Sequence, residues 1–228
     1  MFTAATKHRY LNYAIPDDDA EPSTAELDVL VDAFRKADRM PRLEFLPTVA
    51  PALEARLLER GFTVEERLPL MTCTWTSARH LEPPEGVRII MPADDATMLA
   101  MASLQHDIFD DPEPADASSV TRLRFGLEHG ARAMVAVDIA TGATVGAAQC
   151  VPPAGGATEV VGVAVAPSHR RRGLAAAMVS TLVRQCFDAG LITVFLEAAP
   201  GADGAYRNAG FVRTSTSVHI SLEGERNV

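Results

Sequence analysis

Residues 158–179 read Thr-Glu-Val-Val-Gly-Val-Ala-Val-Ala-Pro-Ser-His-Arg-Arg-Arg-Gly-Leu-Ala-Ala-Ala-Met-Val, and they constrain this chain more than any other stretch. Val160, Val161, Val163 and Val165 make a short apolar, β-branched run, the mark of a buried strand. Pro167 ends it, because proline has no N–H for a ladder. Arginines at 170, 171 and 172 and a glycine at 173 follow, then an alanine-rich helix predicted over 174–189. A helix start carries unpaired N–H groups and a partial positive charge. Gly173 admits a ligand close to the backbone, and the arginines add charge, so the junction reads as a phosphate cradle. A plainer reading is an ordinary strand–helix junction with a solvated basic turn.

The junction is not a P-loop, since no Gly-Lys-Ser/Thr follows, and it lacks the Gly-x-Gly-x-x-Gly of dinucleotide sites. It fits Val-x-Pro-x-x-Arg-x-x-Gly-x-Ala, filled by Val165, Pro167, Arg170, Gly173 and Ala175. That pattern resembles the pyrophosphate loop of the GNAT superfamily, the acyl-CoA-dependent N-acyltransferases.

Composition narrows the partners. A net charge of −9, from 21 basic and 30 acidic residues, argues against bulk nucleic-acid binding. A basic patch at Arg170, Arg171 and Arg172 in an acidic chain therefore points to a small anionic ligand. Lys7 and Lys36 are the only lysines, which with the abundant alanine reads as genome composition. Cys73, Cys150 and Cys186 are scattered, with no metal spacing and no disulfide framework, as expected of small core residues in a reducing cytosol. No long apolar segment and no signal-peptide pattern is present, so a cytoplasmic protein without membrane contact is expected.

In chain order, residues 9–15 alternate loosely as a strand candidate. Ser23 or Thr24 caps a helix whose buried face holds Leu27, Leu30, Val31 and Phe34, ending by Pro41. Residues 42–46 form a short strand. A helix within 47–60 turns Leu53, Leu57 and Leu58 inward and stops at Gly61. Residues 62–76 are extended, with an interruption expected at Pro69. Pro83, Pro84 and Gly86 mark a linker. Then come a strand at 87–91 and a helix at 93–108 that offers Met98, Leu99, Met101 and Ala102 for packing. An acidic loop at 110–116 and a helix at 120–129 follow. A hairpin of 131–138 and 143–152 turns at Thr141-Gly142. After the long helix come a strand at 192–197, a short helix at 202–208 stopped by Gly210, and a strand at 211–222.

From residue 87 the order is strand, two helices, three strands, helix, strand, helix, strand. The resemblance to the GNAT fold covers roughly 87–222. It implies an α/β (α+β) architecture, a mixed, mostly antiparallel central sheet flanked by helices. Residues 1–80 would form a smaller N-terminal α/β region. Leu-Glu-Ala-Arg-Leu-Leu-Glu-Arg-Gly-Phe at 53–62 echoes 202–211, which ends Tyr-Arg-Asn-Ala-Gly-Phe. The first region is thus a candidate degenerate half-repeat without a cofactor loop; chance likeness between two glycine-ended helices is the alternative.

The resemblance also assigns roles. Arg170, Arg171, Arg172, Gly173, Leu174 and Ala175 would hold the pyrophosphate of acetyl-CoA. Val163, Ala164 and Val165 would pair with its pantetheine along a strand splayed from its neighbour. Glu159 stands where many relatives keep a general base. Strand alternation puts it on one face with Val161, Val163 and Val165, and an apolar face raises a carboxylate's pKa. An exposed glutamate at a strand start is the alternative. Tyr206 matches the tyrosine that protonates the leaving thiolate, against a mere packing tyrosine. Relatives often carry an asparagine seven residues earlier; here Ala199 stands there, and Asn208 is the candidate substitute. His106, Asp107, Phe109, Asp110, Asp111 and Glu113 occupy the loop that would face the acceptor, where acidic side chains either attract a cationic amine or keep the loop soluble. No metal and no nucleophile constellation is expected.

The expected function is direct acetyl transfer from acetyl-CoA to a primary amine of a small molecule or peptide. The alternative is a non-catalytic acyl-CoA-binding or regulatory module. The N-terminal region is open as lid or homodimer surface, and the acceptor and acyl length are not legible.

Overall fold

The computed structural model describes residues 11–223. Its elements in chain order are α1 (Thr24–Lys36), β1 (Arg42–Phe45), α2 (Leu53–Glu59), β2 (Thr63–Thr74), β3 (Val87–Ile90), α3 (Asp95–Ile108), α4 (Ala117–Glu128), β4 (Arg132–Asp138), β5 (Thr144–Cys150), β6 (Ala157–Val165), α5 (Leu174–Asp188), β7 (Thr193–Glu197), α6 (Asp203–Ala209) and β8 (Val212–Ser221). A single 3₁₀ turn, Pro167–His169, lies between β6 and α5. The backbone divides into two compact units, one up to Leu70 together with Thr214 onward, the other Met71–Arg213.

In the first unit the strands neighbour one another as β1-β8-β2. Ser23 opens α1 with a complete capping box: its hydroxyl accepts from the Glu26 N–H, and the Glu26 carboxylate accepts from the Ser23 N–H. Leu27, Val31 and Phe34 then fall on one stripe and pack with Leu43, Phe45, Leu53, Leu57, Phe62, Val218 and Ile220. Leu58 was expected inward, yet it is 47% exposed. In so short a helix Leu53 and Leu57, four apart, define the buried stripe, and Leu58 lies about 100° round from it. The expected break at Pro69 is also absent, and β2 runs through it. Proline removes one ladder donor and leaves the rest of the strand's groups in place. Of the strand candidate at 9–15, residues 9 and 10 lie outside the described residues, and Ala14 makes an isolated parallel bridge to Leu43.

The opposite side of this small sheet is charged. Arg42, fully buried, pairs with Glu44 and Glu65, and its Nη2 lies 3.0 Å from His219 Nδ1. His219 is in turn 3.3 Å from Glu66 Oε1. Leu43 and Phe45 face the apolar cluster, so the intervening Arg42 and Glu44 turn the other way by strand alternation.

In the second unit the strand order is β2-β7-β6-β5-β4-β3. The pairs β3·β4, β4·β5 and β5·β6 are antiparallel, while β6·β7, joined across α5, is parallel. The element order matches that expected from residue 87 onward. One side of this sheet packs on α5 through Met178, Val179, Leu182, Val183 and Cys186. The other packs on α3 through Met101, Ala133, Val135, Ala147 and Ala164. On α3, Met98, Met101 and Ala102 are buried, whereas Leu99 is 37% exposed and does not join them. Asp94 caps α3 by accepting from the Thr97 N–H. Helix α4 begins three residues before the expected 120, because Asp116 accepts from the Ser118 and Ser119 N–H groups and starts the helix there.

The helices α2 and α6 repeat one local design. Each has seven residues, enters without a side-chain cap, and ends at a left-handed glycine, Gly61 at φ +94° and Gly210 at φ +104°. The Phe62 N–H donates to the Leu57 carbonyl at 3.0 Å, as the Phe211 N–H does to the Tyr206 carbonyl at 3.1 Å.

Candidate active site

Strand β6 organises the site, and a single glycine sets its faces. The Val151 N–H donates to the Glu159 carbonyl, and the Ala166 N–H donates to the Val145 carbonyl, so Glu159 and Ala166 both turn their backbone groups to β5. They are seven residues apart, and in a regular strand residues an odd number apart turn to opposite sides. The extra residue is Gly162, at φ +61°, where the β5·β6 register shifts between Ala147·Ala164 and Gln149·Val161.

This bulge overturns the expectation that Glu159, Val161, Val163 and Val165 share a face. Val160 packs in the α5-side core, and beyond the bulge Val163 and Val165 pack against that core too. Ala164 lies in the α3-side core. Alternation therefore sends Glu159 and Val161 to the α3 side, with Gln149, the partner of Val161. A lone glycine inside a β-branched run permits a bulge, but only the register with β5 places one there.

The second feature is a fork. The parallel ladder of β6 with β7 holds Ala157·Thr193, Thr158·Val194 and Glu159·Phe195, and goes no further. Beyond Glu159 the β7-facing edge of β6 is open. Counting back from Ala166, that edge carries the backbone groups of Val165 and Val163. Ala164 pairs with Ala147 on β5 and is fully buried, so its backbone faces away from the opening. Glu159 itself stands at the fork, partly exposed.

The open edge runs into the basic loop. Arg170 Nε donates to the Val165 carbonyl at 3.1 Å, Arg171 adopts a left-handed backbone at φ +63°, and Arg172 donates to the Glu85 carbonyl at 2.9 Å. The arginines are thus held differently, and all are exposed. Gly173 is left-handed at φ +83°, with open space where a side chain would project. Leu174 is buried and Ala175 half-buried in the first turn of α5. Whereas Ser23, Asp94 and Asp116 cap α1, α3 and α4, α5 has no side-chain cap and no acidic residue in its first turn. Its N–H groups, the adjoining arginines and the space at Gly173 fit an anion such as a diphosphate. His169 braces the loop: its Nε2 lies 3.1 Å from Asp138 Oδ2 and its Nδ1 2.9 Å from Ser168 Oγ. The Thr141 N–H and hydroxyl hold the Asp138 carboxyl below its usual range, so it accepts from the imidazole.

Tyr206 lies on α6 with its ring edge-on to Phe211, centroids 6.2 Å apart. Burial pushes its phenol pKa up. Asn208 is exposed, and two residues on from Tyr206 it occupies a different side of the helix. Ala199 is exposed in the turn after β7. The α3–α4 loop folds back on itself: His106 Nδ1 lies 2.7 Å from the Glu113 carbonyl and donates to it, and Asp111 accepts from the Glu113 N–H. Phe109 and Asp110 remain exposed. His129 donates to the Phe125 carbonyl and stacks on that ring.

Two contributors were missed from sequence. Gln105 donates from Nε2 to the Gly162 carbonyl at 2.7 Å. It continues the stripe of Met98, Met101 and Ala102 at helical spacing, and a polar residue on a core stripe is a recognisable signal. Asp138 has no such signal, since it meets His169 only through the tertiary fold. All three cysteines are buried; the sulfurs of Cys150 and Cys186 lie 3.6 Å apart, and their mutual hydrogen bond lowers the Cys186 thiol while, together with burial, it pushes the Cys150 thiol up. Burial also pushes the Cys73 thiol up. Among the described residues no group of His, Cys, Asp and Glu could hold a metal, and no helix is long and apolar enough to cross a membrane.

Residues 98–211 match the family model of the acetyltransferase (GNAT) family. No curated protein matches the sequence. Among solved structures the chain is similar to a GCN5-related N-acetyltransferase from Kribbella flavida, with a TM-score of 0.77 and 27% identity, covering 98% of this chain and 86% of that one. A GCN5-related N-acetyltransferase from Sphaerobacter thermophilus has a TM-score of 0.64 and 20% identity, covering 82% of this chain and 61% of that one. A tandem GNAT protein from the clavulanic acid biosynthesis pathway has a TM-score of 0.62 and 15% identity, covering 83% and 66%. The last two show a shared fold.

Proposed function

Since the chain belongs to the acetyltransferase (GNAT) family and is on that ground an acyltransferase, we propose that it transfers an acetyl group from acetyl-CoA directly to a primary amine, in the cytoplasm. The observation that carries this reading is the open edge of β6, which starts at the Glu159 fork and ends at the uncapped start of α5. Acetyl-CoA supplies the activated acyl group. The N–H groups at the start of α5, with Gly173 and Arg170–Arg172, hold its diphosphate. Val163 and Val165 offer backbone groups to the pantetheine arm, and the Val163 N–H offers a hydrogen bond to the thioester carbonyl as charge develops there.

Glu159 accepts the amine proton, directly or through a water, as the N–C bond forms. The C–S bond breaks, and Tyr206 returns a proton to the departing sulfur. Its raised pKa keeps the phenol protonated until that moment. The burial of Cys73, Cys150 and Cys186 supports transfer without an acyl-enzyme. We extend the reading to the first unit: the matched ends of α2 and α6 support a degenerate half-repeat, with Leu57 where α6 has Tyr206, and hence without chemistry of its own.

The test is thermal melting with and without CoA, followed by thiol release with a panel of amines. CoA should raise the melting temperature, and release should require an amine. Glu159→Gln and Tyr206→Phe should each cut turnover by about 10²-fold or more at neutral pH. Failure of CoA to protect the fold would reject the site.

A further inference from the structure

We propose that Gln105 is a positioning residue for acyl transfer: by pinning the Gly162 carbonyl it fixes the direction of the Val163 N–H at the open edge of β6. This rests on the reading of that edge as the thioester site. The reasoning starts from the peptide unit. The Gly162 carbonyl and the Val163 N–H belong to one planar group and point in opposite directions. Fixing one end of that group therefore fixes the other.

The bulge removes this peptide unit from the β5 ladder. Glu159, Val161, Ala164 and Ala166 turn to β5; Gly162 and Val163 do not. A ladder would ordinarily hold a strand peptide at both ends, and here the ladder has let go. The Gln105 amide takes its place, donating to the Gly162 carbonyl at 2.7 Å from the α3 side. The fit is tight and specific to glycine. A Cβ at residue 162 would lie 2.3 Å from Gln105 Nε2, and the backbone there is left-handed at φ +61°.

Gln105 follows Met98, Met101 and Ala102 at helical spacing on α3, and its amide is partly buried where it meets the Gly162 carbonyl. A polar group there is costly unless paired, and the Gly162 carbonyl is its partner. Its neighbour His106 bonds the Glu113 carbonyl, so one turn of α3 holds both the bulge and the α3–α4 loop.

The experiment compares the Kd of acetyl-CoA with that of CoA, by calorimetry on the full chain, for wild type, Gln105→Met and Gln105→Glu. Methionine keeps the length and removes the donor. Glutamate replaces the donor with a carboxylate facing a carbonyl. In both variants the ratio Kd(CoA)/Kd(acetyl-CoA) should fall about fivefold, the worth of one hydrogen bond to the carbonyl, while CoA alone changes less than about twofold. The melting temperature of Gln105→Met without ligand should stay within a few degrees of wild type. A ratio unchanged in either variant, or a parallel weakening of both ligands, overturns the assignment. If wild type binds neither ligand, the thioester site itself falls, and this inference with it.

Discussion

Gly162→Ala tests the bulge on which the site depends. The substitution has two costs. The first is conformational: at φ +61° a side chain meets its own backbone, which costs about 1–2 kcal/mol. The second is local: the new methyl would lie 2.3 Å from Gln105 Nε2, so the amide must swing away and its 2.7 Å bond to the Gly162 carbonyl is lost. The amide is the far end of a flexible side chain, so the clash itself is relieved cheaply, and the lost bond adds about 1 kcal/mol. The sum is about 2–3 kcal/mol, or a fall of roughly 5–10 °C in melting temperature for a chain of this size.

Gln105→Ala alone loses the bond and some packing, about 1–2 kcal/mol. The double variant should then be little worse than Gly162→Ala, because the same bond cannot be lost twice. Urea denaturation of the wild type, both single variants and the double variant gives the cycle, followed by near-UV circular dichroism to isolate tertiary loss. Full additivity, or a Gly162→Ala variant as stable as wild type, would refute the claim that the amide and the bulge are one device.

Three further outcomes follow from the same geometry. Gly210→Ala should destabilise by about 3 kcal/mol or more, since its Cβ would lie 2.1 Å from the Ser77 carbonyl oxygen, whereas Gly61→Ala, with 3.7 Å to Leu222, should lose only about 1–2 kcal/mol of backbone strain; equal losses by denaturant titration would contradict the packing of the α6 end. Arg42→Ala takes a fully buried guanidinium away from the partly buried Glu44 and Glu65 and the buried His219 and should cost about 3–5 kcal/mol, while Arg67→Ala breaks an exposed pair with Glu54 and should cost under about 1 kcal/mol; similar melting temperatures for the two would sink the distinction. The Tyr206 phenol pKa is raised by burial, so the unfolded chain releases this proton first. Stability from this group is complete below the ordinary tyrosine pKa of about 10 and falls as pH rises from there through the higher folded value. Tyr206→Phe should flatten that part of the alkaline unfolding curve, and an unchanged curve would count against a buried phenol.

Much of the fold is legible because its elements are strongly periodic and well punctuated. Ser23 with Glu26 announces α1, and Leu27, Val31 and Phe34 announce its buried side. The strands and helices from residue 87 onward stand where local pattern puts them, and the basic loop shows in its own spacing. Local pattern failed where a neighbour decides the outcome. Leu58 and Leu99 are as apolar as the residues beside them, and only the position of the sheet selects which is covered. Arg42 reads as an ordinary strand residue, yet it is fully buried because Glu44, Glu65 and His219 gather around it from β1, β2 and β8.

By itself, then, the chain determined what its short-range chemistry can encode: the order of elements, the apolar stripes, and a helix start furnished with arginine and glycine and left without an acidic cap. Tertiary structure alone decided how β6 presents itself. Its alternation could be counted in the sequence, but the count is broken at Gly162, where β5 skips a pairing and Gln105 holds the released carbonyl. One extra residue in a period of two exchanges the faces of everything beyond it, so Glu159 parts from Val163 and Val165. Where that extra residue sits is set by partners distant along the chain.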